Sequence, residues 1–281
     1  MAYQESTGVG CRIAYVGIRD DDGTMKIQGS PAAGTAYAGI RADRARALTV
    51  TPAEPQRIAA RGDDVTYYTF QVSPADSPVG ELRTQQSDTA LIALITSVTD
   101  FGSGNVSMVP LSSDKVGTED PIMVWGSRIA IQSGTGLAQT RVWETYIILN
   151  AIASARPQPF EVDVINEFVW SLAGNNSSTD QFGRTMTSGI HGCTEAAMVM
   201  VKTRYKFFMD VFEGDGAEDE FTLTQGSDVI DDAHDDAATS PVFCFVDGVS
   251  TAKTVSAAGV VTITPAPSDG AKIVVQYEYD N

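Results

Sequence analysis

Hydrophobic and polar residues alternate along much of this chain, and a period of two is the pattern of β-strands with one buried face. The clearest runs are also rich in β-branched and aromatic residues, which pack well on a pleated surface. These runs are Val65–Val72, Trp143–Leu149 and Phe160–Ile165. The pattern predicts a mainly β fold.

Helical periodicity is convincing in one segment. Ser87 and Asp88 can cap a helix there, and the apolar residues that follow share one helical face. They are Leu91, Leu94, Ile95 and Val98. We therefore expect one flanking helix over about residues 87–99. The first 40 residues, in contrast, read as loops, with turn residues at Asp20–Gly23 and Gly29–Gly34.

The longest alternating run extends from Glu195 to Phe212. It predicts a single strand far longer than the usual length of about five or six residues. The polar face of this strand carries three cations, Lys202, Arg204 and Lys206. They form either a solvated outer face or a subunit interface that pairs with a neighbour's carboxylates.

The C-terminal part reads as a separate module. Four short apolar or alternating runs between Phe221 and Asn281 are separated by Asp, Gly and Pro, which predicts a small antiparallel β-sandwich. The preceding segment is acidic and contains glycine, as linkers between domains often do. We therefore expect a β domain over residues 1–212, an acidic hinge over 213–220 and a β module over 221–281.

Acidic residues are concentrated in that module. The chain has a net charge of −17, and the residues from Glu213 onward supply 14 acidic and only 2 basic side chains. Such a surface repels the nucleic-acid backbone, which excludes a protein that grips DNA but allows DNA to slide through an acidic conduit. Asp outnumbers Glu 24 to 12 and Arg outnumbers Lys 13 to 6. This bias indicates either a halophilic host or the weight of one acidic module.

The sequence contains no phosphate-binding loop, HExxH, GxSxG or dinucleotide-binding motif. His191 and Cys193 form an isolated pair, which is a poor metal site. The acidic runs Asp20–Asp22 and Asp231–Asp236 favour loop solvation over calcium binding, because their carboxylates are not spaced at every second residue. We predict no enzymatic activity, no cofactor and no metal. Widely spaced cysteines indicate reduced, buried thiols: they are Cys11, Cys193 and Cys244.

The start of the sequence, Met1–Gly8, lacks the basic and apolar segments of a signal peptide. No apolar run reaches the length of a membrane span. We therefore expect a protein that is made in the cytoplasm and does not insert into a membrane.

The order of features in the body has a counterpart in one family. A loop-rich start is followed by strand-like segments at Arg41–Val50 and Val65–Val72, by Glu81–Thr84 ahead of the single helix, and by Pro121–Trp125 leading into further strands. This order resembles that of the major tail tube proteins of long-tailed, siphovirus-like viruses of bacteria and archaea. The resemblance covers roughly residues 1–212. The C-terminal part, with its hairpin signal at Val246–Val249, resembles the small immunoglobulin-like modules that decorate such tail proteins.

The resemblance implies a fold and a function. The fold would be a flattened, tail-tube-like β-barrel or sandwich with the helix on one side, and six copies would close into a ring. Stacked rings would form the tail tube of a virion, with other copies of the chain and the tail proteins at the tube ends as partners and DNA passing through. Independently of the resemblance, we expect the C-terminal module to be dispensable for assembly. The alternatives are another virion surface protein, such as a capsid decoration or turret protein, and a carbohydrate-binding β-protein.

Overall fold

The structure is a computed structural model that describes residues 6–18, 25–27, 32–42, 45–51, 56–62, 65–72, 79–84, 91, 94, 99–100, 107–108, 122–133, 139–157, 168–174, 198–229 and 242–280. The described chain is mainly antiparallel β-structure, as the sequence predicts. Its strands are β1 (Ser6–Ile18), β2 (Ile40–Arg41), β3 (Ala45–Thr51), β4 (Gln56–Gly62), β5 (Val65–Val72), β6 (Val79–Thr84), β7 (Thr99–Asp100), β8 (Ser107–Met108), β9 (Ile122–Ser133), β10 (Gln139–Pro157), β11 (Phe168–Gly174), β12 (Met198–Thr203), β13 (Lys206–Glu213), β14 (Glu220–Thr222), β15 (Phe243–Val246), β16 (Val249–Ser250), β17 (Thr254–Val255), β18 (Val260–Thr262) and β19 (Lys272–Tyr279).

A large antiparallel sheet forms the body. Its strands run in the order β2-β1-β9-β10-β11-β6-β3, and β12 also pairs with β10. β10 is long enough to hold two partners on one edge, since residues 143–148 pair with β12 and residues 151–157 pair with β11. The sheet curls so that β1 approaches β3. Within the described residues the sheet does not close into a barrel.

Each face of this sheet contributes side chains to a core, because successive side chains on a strand point to opposite sides. On β9, Val124 belongs to a core inside the curl, and Trp125 belongs to a second core on the opposite face. Packing inside the curl is tight at Gly126, where a Cβ atom would lie 2.8 Å from Leu48 Cδ2. Any larger residue there would require the Leu48 side chain to shift where β3 crosses β9.

The C-terminal residues form the predicted antiparallel sandwich. One sheet has the strand order β13-β19-β15-β16, and the other has the order β14-β18-β17. Phe212 of the first sheet and Phe221 of the second meet edge to face, with ring centroids 5.3 Å apart. The predicted hairpin joins β15 to β16 through Asp247 and Gly248, whose φ angles are 45° and 73°. Positive φ at both positions is what a type I′ turn requires.

The sandwich packs directly on the body. Tyr15 stacks on Trp125 with ring centroids 5.3 Å apart, and it meets Phe208 of β13 edge to face at 5.0 Å. The body also covers one edge of the sandwich, because Tyr37 and Val211 exchange two backbone hydrogen bonds of 2.8 Å. The two units therefore share the core on the outer face of the large sheet.

The single long strand predicted over Glu195–Phe212 is wrong. The chain bends at Arg204 and Tyr205, and β12 and β13 lie in different sheets. Two hydrogen bonds fix the bend: Thr203 Oγ1 donates to Tyr205 O at 2.6 Å, and Tyr205 N donates to Glu278 Oε2 at 2.9 Å.

The prediction of loops over the first 40 residues is wrong for residues 6–18, which form a strand, but it is confirmed for residues 32–39, which contain only turns, irregular backbone and isolated bridges. β1 is a strand of 13 residues, and it pairs with β9 with one irregularity between Val9 and Ile13. Its glycines interrupt the apolar alternation and hide the strand in the sequence. Gly17 is one of them, and a Cβ atom there would lie 2.7 Å from Met25 Sδ, so a larger residue would require Met25 to shift.

The flanking helix stays a prediction. Within its predicted range of about 87–99, Leu91 and Leu94 are in helical conformation and are buried in the core inside the curl. Thr99 lies instead in β7, and the other residues of the range lie outside the described residues. No helix in the described part of the chain is long and apolar enough to span a bilayer.

The remaining strand predictions have mixed outcomes. Val65–Val72 is confirmed as β5, and Trp143–Leu149 is confirmed as part of β10. Phe160–Ile165 and the start of the long run, residues 195–197, lie outside the described residues.

The division at residues 1–212, 213–220 and 221–281 stays a prediction. β13 pairs along its length with β19, so the C-terminal sheet begins at Lys206. The acidic segment Glu213–Glu220 connects two strands of the same sandwich, β13 and β14. Backbone hydrogen bonds fix this segment, since Gly214 N donates to Ala271 O at 2.8 Å and Gly216 N donates to Pro267 O at 3.1 Å.

Candidate functional site

The three predicted interface cations lie in three different environments. Lys202 lies on β12, Arg204 lies at the bend and Lys206 begins β13. They do not share one face of one strand, because the strand is broken between them. Their role in a subunit interface stays a prediction.

Lys206 is held between the body and the sandwich. Its Nζ lies 5.4 Å from the ring centroid of Trp143 in the body and 5.1 Å from that of Tyr279 in the sandwich. Aromatic faces attract a cation because the face of the ring carries negative charge. Lys206 therefore stabilises the contact between the body and the sandwich of one chain, which we call the seam. Arg204 is exposed, and its guanidinium lies 5.3 Å from the ring centroid of Tyr205.

Lys202 belongs to a row of charges that crosses three strands. The pairing register places Glu144 of β10 opposite both Arg128 of β9 and Lys202 of β12. The Glu144 carboxylate is 2% exposed; its Oε2 accepts from Arg128 Nε at 2.9 Å, and its Oε1 lies 3.1 Å from Lys202 Nζ. A buried carboxylate requires such partners, because the loss of its hydration is costly. Two cations therefore share one carboxylate.

A small groove adjoins this row on the same face of the sheet. Arg128 Nη2 donates to Tyr146 Oη at 3.0 Å, and the guanidinium lies 5.2 Å from the tyrosine ring centroid. The groove has a volume of about 170 Å³. Its walls and floor include Cys11, Arg46, Leu48, Gly126, Arg128 and Tyr146. Burial raises the pKa of the Cys11 thiol to about 11, so this cysteine is protonated and a poor nucleophile at neutral pH.

A second buried carboxylate, Asp210 of β13, lies inside the sandwich. Its Oδ2 accepts hydrogen bonds from Thr224 N and Tyr277 Oη at 2.8 Å each, and its Oδ1 accepts from Thr224 Oγ1 at 2.7 Å. Tyr277 Oη in turn accepts from Gln225 N at 3.1 Å. Burial raises the pKa of Asp210 to about 6, and the hydrogen bonds from Thr224 and Tyr277 oppose that shift. The network fastens the segment after β14 to both β13 and β19.

The segment Glu213–Glu220, which we call the acidic turn, carries five carboxylates and no basic residue. Asp215 Oδ1 accepts from Glu218 N at 2.7 Å and from Ala217 N at 2.9 Å, and these bonds hold the pKa of Asp215 below its usual value. Within the described residues no Lys or Arg forms an ion pair with these carboxylates. The acidic turn borders a cleft of about 530 Å³ that residues 33–36 also line.

A metal site is not found in the described ranges, where no three His, Cys, Asp or Glu side chains are grouped suitably. His191, Cys193 and the acidic runs Asp20–Asp22 and Asp231–Asp236 lie outside those ranges. Cys244 is buried in the sandwich, and burial raises the pKa of its thiol to about 12.

Sequence reasoning missed the two buried carboxylates. Asp210 has a signal, because it is the one charged residue in the otherwise apolar run Phe207–Phe212, and such a residue must be buried with partners. No sequence signal marks Glu144, because its pairing with Arg128 and Lys202 depends on the register of three strands.

Comparison with protein-family models, with curated proteins and with solved structures gave no match. Fold class and surface chemistry are the observations from which a function can be inferred.

Proposed function

We propose that this chain is a structural subunit that assembles into stacked hexameric rings and forms the tail tube of a long-tailed virus. The observation that carries the proposal is the large antiparallel sheet, whose strands β3 and β12 are paired along one edge only within the described residues. An unpaired strand edge is a site for pairing with another chain, and closure into a ring removes such edges. The order of sequence features shared with tail tube proteins supports the same function.

The charge of the chain suits a conduit for DNA. With a net charge of −17, a lumen formed by several copies would repel the phosphate backbone and allow DNA to pass without adhering. The two buried carboxylates, Glu144 and Asp210, are each satisfied by hydrogen bonds or ion pairs inside the protein. They act as structural groups within the fold.

The first test is the mass of the purified chain by sedimentation velocity over a range of concentrations. We expect species with the mass of six chains and of larger multiples. A monomer at every concentration would overturn the proposal.

A substitution on the free edge of β12 sharpens this test. Met200 on that strand is 38% exposed, and Met200→Lys adds a charge where a neighbouring strand would pack, so we expect it to weaken assembly. Val249→Lys is the matched control, because Val249 is 63% exposed on the sandwich. Equal assembly of the two variants would mean that β12 takes no part in the contact.

A further inference from the structure

We propose that the groove beside Arg128 binds the acidic turn of a second copy of this chain, and that this contact sets the head-to-tail orientation of neighbouring subunits. This inference rests on the proposed function and names the surfaces through which the copies meet.

The groove is lined by positive and apolar side chains. Arg46 is exposed and Arg128 is partly exposed, and Leu48 and Gly126 also line the groove. Arg128 shares the Glu144 carboxylate with Lys202. A guanidinium that faces a groove is well suited to bind a carboxylate through charged hydrogen bonds.

The acidic turn offers the complementary charge in a fixed shape. The Asp215 carboxylate and the backbone bonds of Gly214 and Gly216 hold its conformation, so little conformational entropy is lost when it binds a partner. Glu213 and Glu220 stand at its two ends, and both are exposed. Among the described residues these carboxylates form no ion pair, although Lys272 lies opposite Glu213 in the register of β13 and β19.

The contact must join two copies, because the two surfaces lie on opposite sides of the large sheet. On β9, Trp125 points toward the sandwich, and its neighbour Gly126 points to the groove side. Arg128 shares the side of Gly126, since the register with β10 is unbroken between them. The acidic turn belongs to the sandwich and so lies across the sheet from the groove of its own chain. A contact between two different surfaces repeats from copy to copy and produces a ring or a filament.

A carboxylate segment fits this groove better than DNA does. Binding of duplex DNA depends on many cations that follow successive phosphates along the backbone. Here the groove is confined to about 170 Å³, and the chain around it is strongly acidic. The chain itself supplies the acidic segment.

The test is a charge-reversal cycle on the full chain at moderate salt, with the concentration needed for assembly measured by sedimentation. We expect Arg46→Glu and Glu220→Lys each to raise that concentration by about tenfold or more, because each places like charges together. The combined variant, with both substitutions in one chain, should restore assembly at least in part, since it re-forms an opposite-charge contact. Lys26→Glu and Asp280→Lys are the matched controls, because both residues are exposed elsewhere on the molecule.

Each outcome decides the inference. Loss in both single variants, recovery in the combined variant and normal assembly of the controls would support it. Normal assembly of Arg46→Glu and Glu220→Lys would overturn it and leave the proposed function intact, whereas failure of the unmodified chain to assemble would overturn both. If Arg46→Glu assembled normally but lost retention on immobilised duplex DNA, the groove would serve nucleic acid and the inference would be wrong.

Discussion

At the scale of single residues, Asp210 shows how a charge can be kept inside a β-sandwich. The carboxylate is fully buried, but three donors from Thr224 and Tyr277 replace the water that it loses. Burial still outweighs these bonds, so the pKa of Asp210 lies at about 6 instead of its ordinary 3.8. The folded protein therefore binds this proton more tightly than the unfolded chain does.

We predict that Asp210 makes the wild type lose stability, relative to Asp210→Asn, as the pH rises. The protonated carboxyl of Asp210 adds to the free energy of unfolding. This contribution is fully present below about pH 4 and is lost as the pH rises through the folded pKa of about 6. Asn does not titrate, and its amide can keep the contacts with Thr224 and Tyr277. The difference in free energy of unfolding between the two proteins should change by about 3 kcal/mol between about pH 4 and pH 7.

Urea unfolding at several pH values measures this difference. Asp280→Asn is the control, because Asp280 is an exposed acid of the same module. A difference between wild type and Asp210→Asn that stays constant across this range would contradict the assignment of the raised pKa to Asp210.

At the scale of elements, the sandwich depends on one close backbone contact. Gly259, in the turn between β17 and β18, has φ of 71°, and a Cβ atom there would lie 2.1 Å from Gly226 Cα. Gly270 has a similar φ of 76° but has no atom within 4 Å of that position. Substitutions at these two glycines can therefore separate two free-energy costs: that of a positive φ angle for a residue with a Cβ atom, and that of a steric clash.

We predict a large difference between two alanine substitutions at these glycines. Gly270→Ala should lower the free energy of unfolding by about 1 kcal/mol, which is the cost of a left-handed conformation for a residue with a Cβ atom. Gly259→Ala should cost about 3 kcal/mol more, because the two turns at Gly226 and Gly259 must move apart. Thermal unfolding of the two variants measures the difference, and equal losses would show that the close contact is absent.

The sequence predicts elements best where local pattern and turn chemistry agree. The strand at Val65–Val72 and the turn at Asp247–Gly248 are examples, because alternation and positive-φ residues are local signals. The bend at Arg204–Tyr205 was missed, since alternation continues through it. A change in pattern does mark the bend, because the residues that follow it, Phe207–Phe212, are buried on both faces instead of one.

At the scale of the whole molecule, the body and the sandwich are coupled by a shared core. Tyr15, Trp125 and Phe208 form one aromatic cluster across the seam, and Lys206 lies between aromatic rings of both units. A truncation after Phe212 would remove β19, the strand that pairs with β13, and with it part of the shared core. The expectation that the module is dispensable for assembly therefore applies only if the remaining body stays soluble.

We predict that the two units unfold together. All three tryptophans of the chain, Trp125, Trp143 and Trp170, lie in the body, whereas Cys244 is buried in the sandwich. Tryptophan fluorescence and the reaction of Cys244 with a thiol reagent should therefore report one transition at the same urea concentration, because the shared core links them.

The measurement uses a variant with Ser at Cys11 and Cys193, so that Cys244 is the one reactive thiol. Phe208→Ala is the companion variant. It leaves a cavity at the seam, so it should lower the urea midpoint measured by tryptophan fluorescence and the one measured by Cys244 labelling. Labelling of Cys244 at urea concentrations that leave the tryptophan signal unchanged would show that the sandwich unfolds independently.

The most direct test of the tail tube proposal is negative-stain electron microscopy of the purified full chain, at moderate salt and in multimolar salt. We predict rings, or hollow tubes with a regular axial repeat, at moderate salt, since the proposed contact between groove and acidic turn is electrostatic. Tubes in multimolar salt alone would favour a halophilic host and contradict that contact. Compact single particles in both conditions would contradict the tail tube function itself.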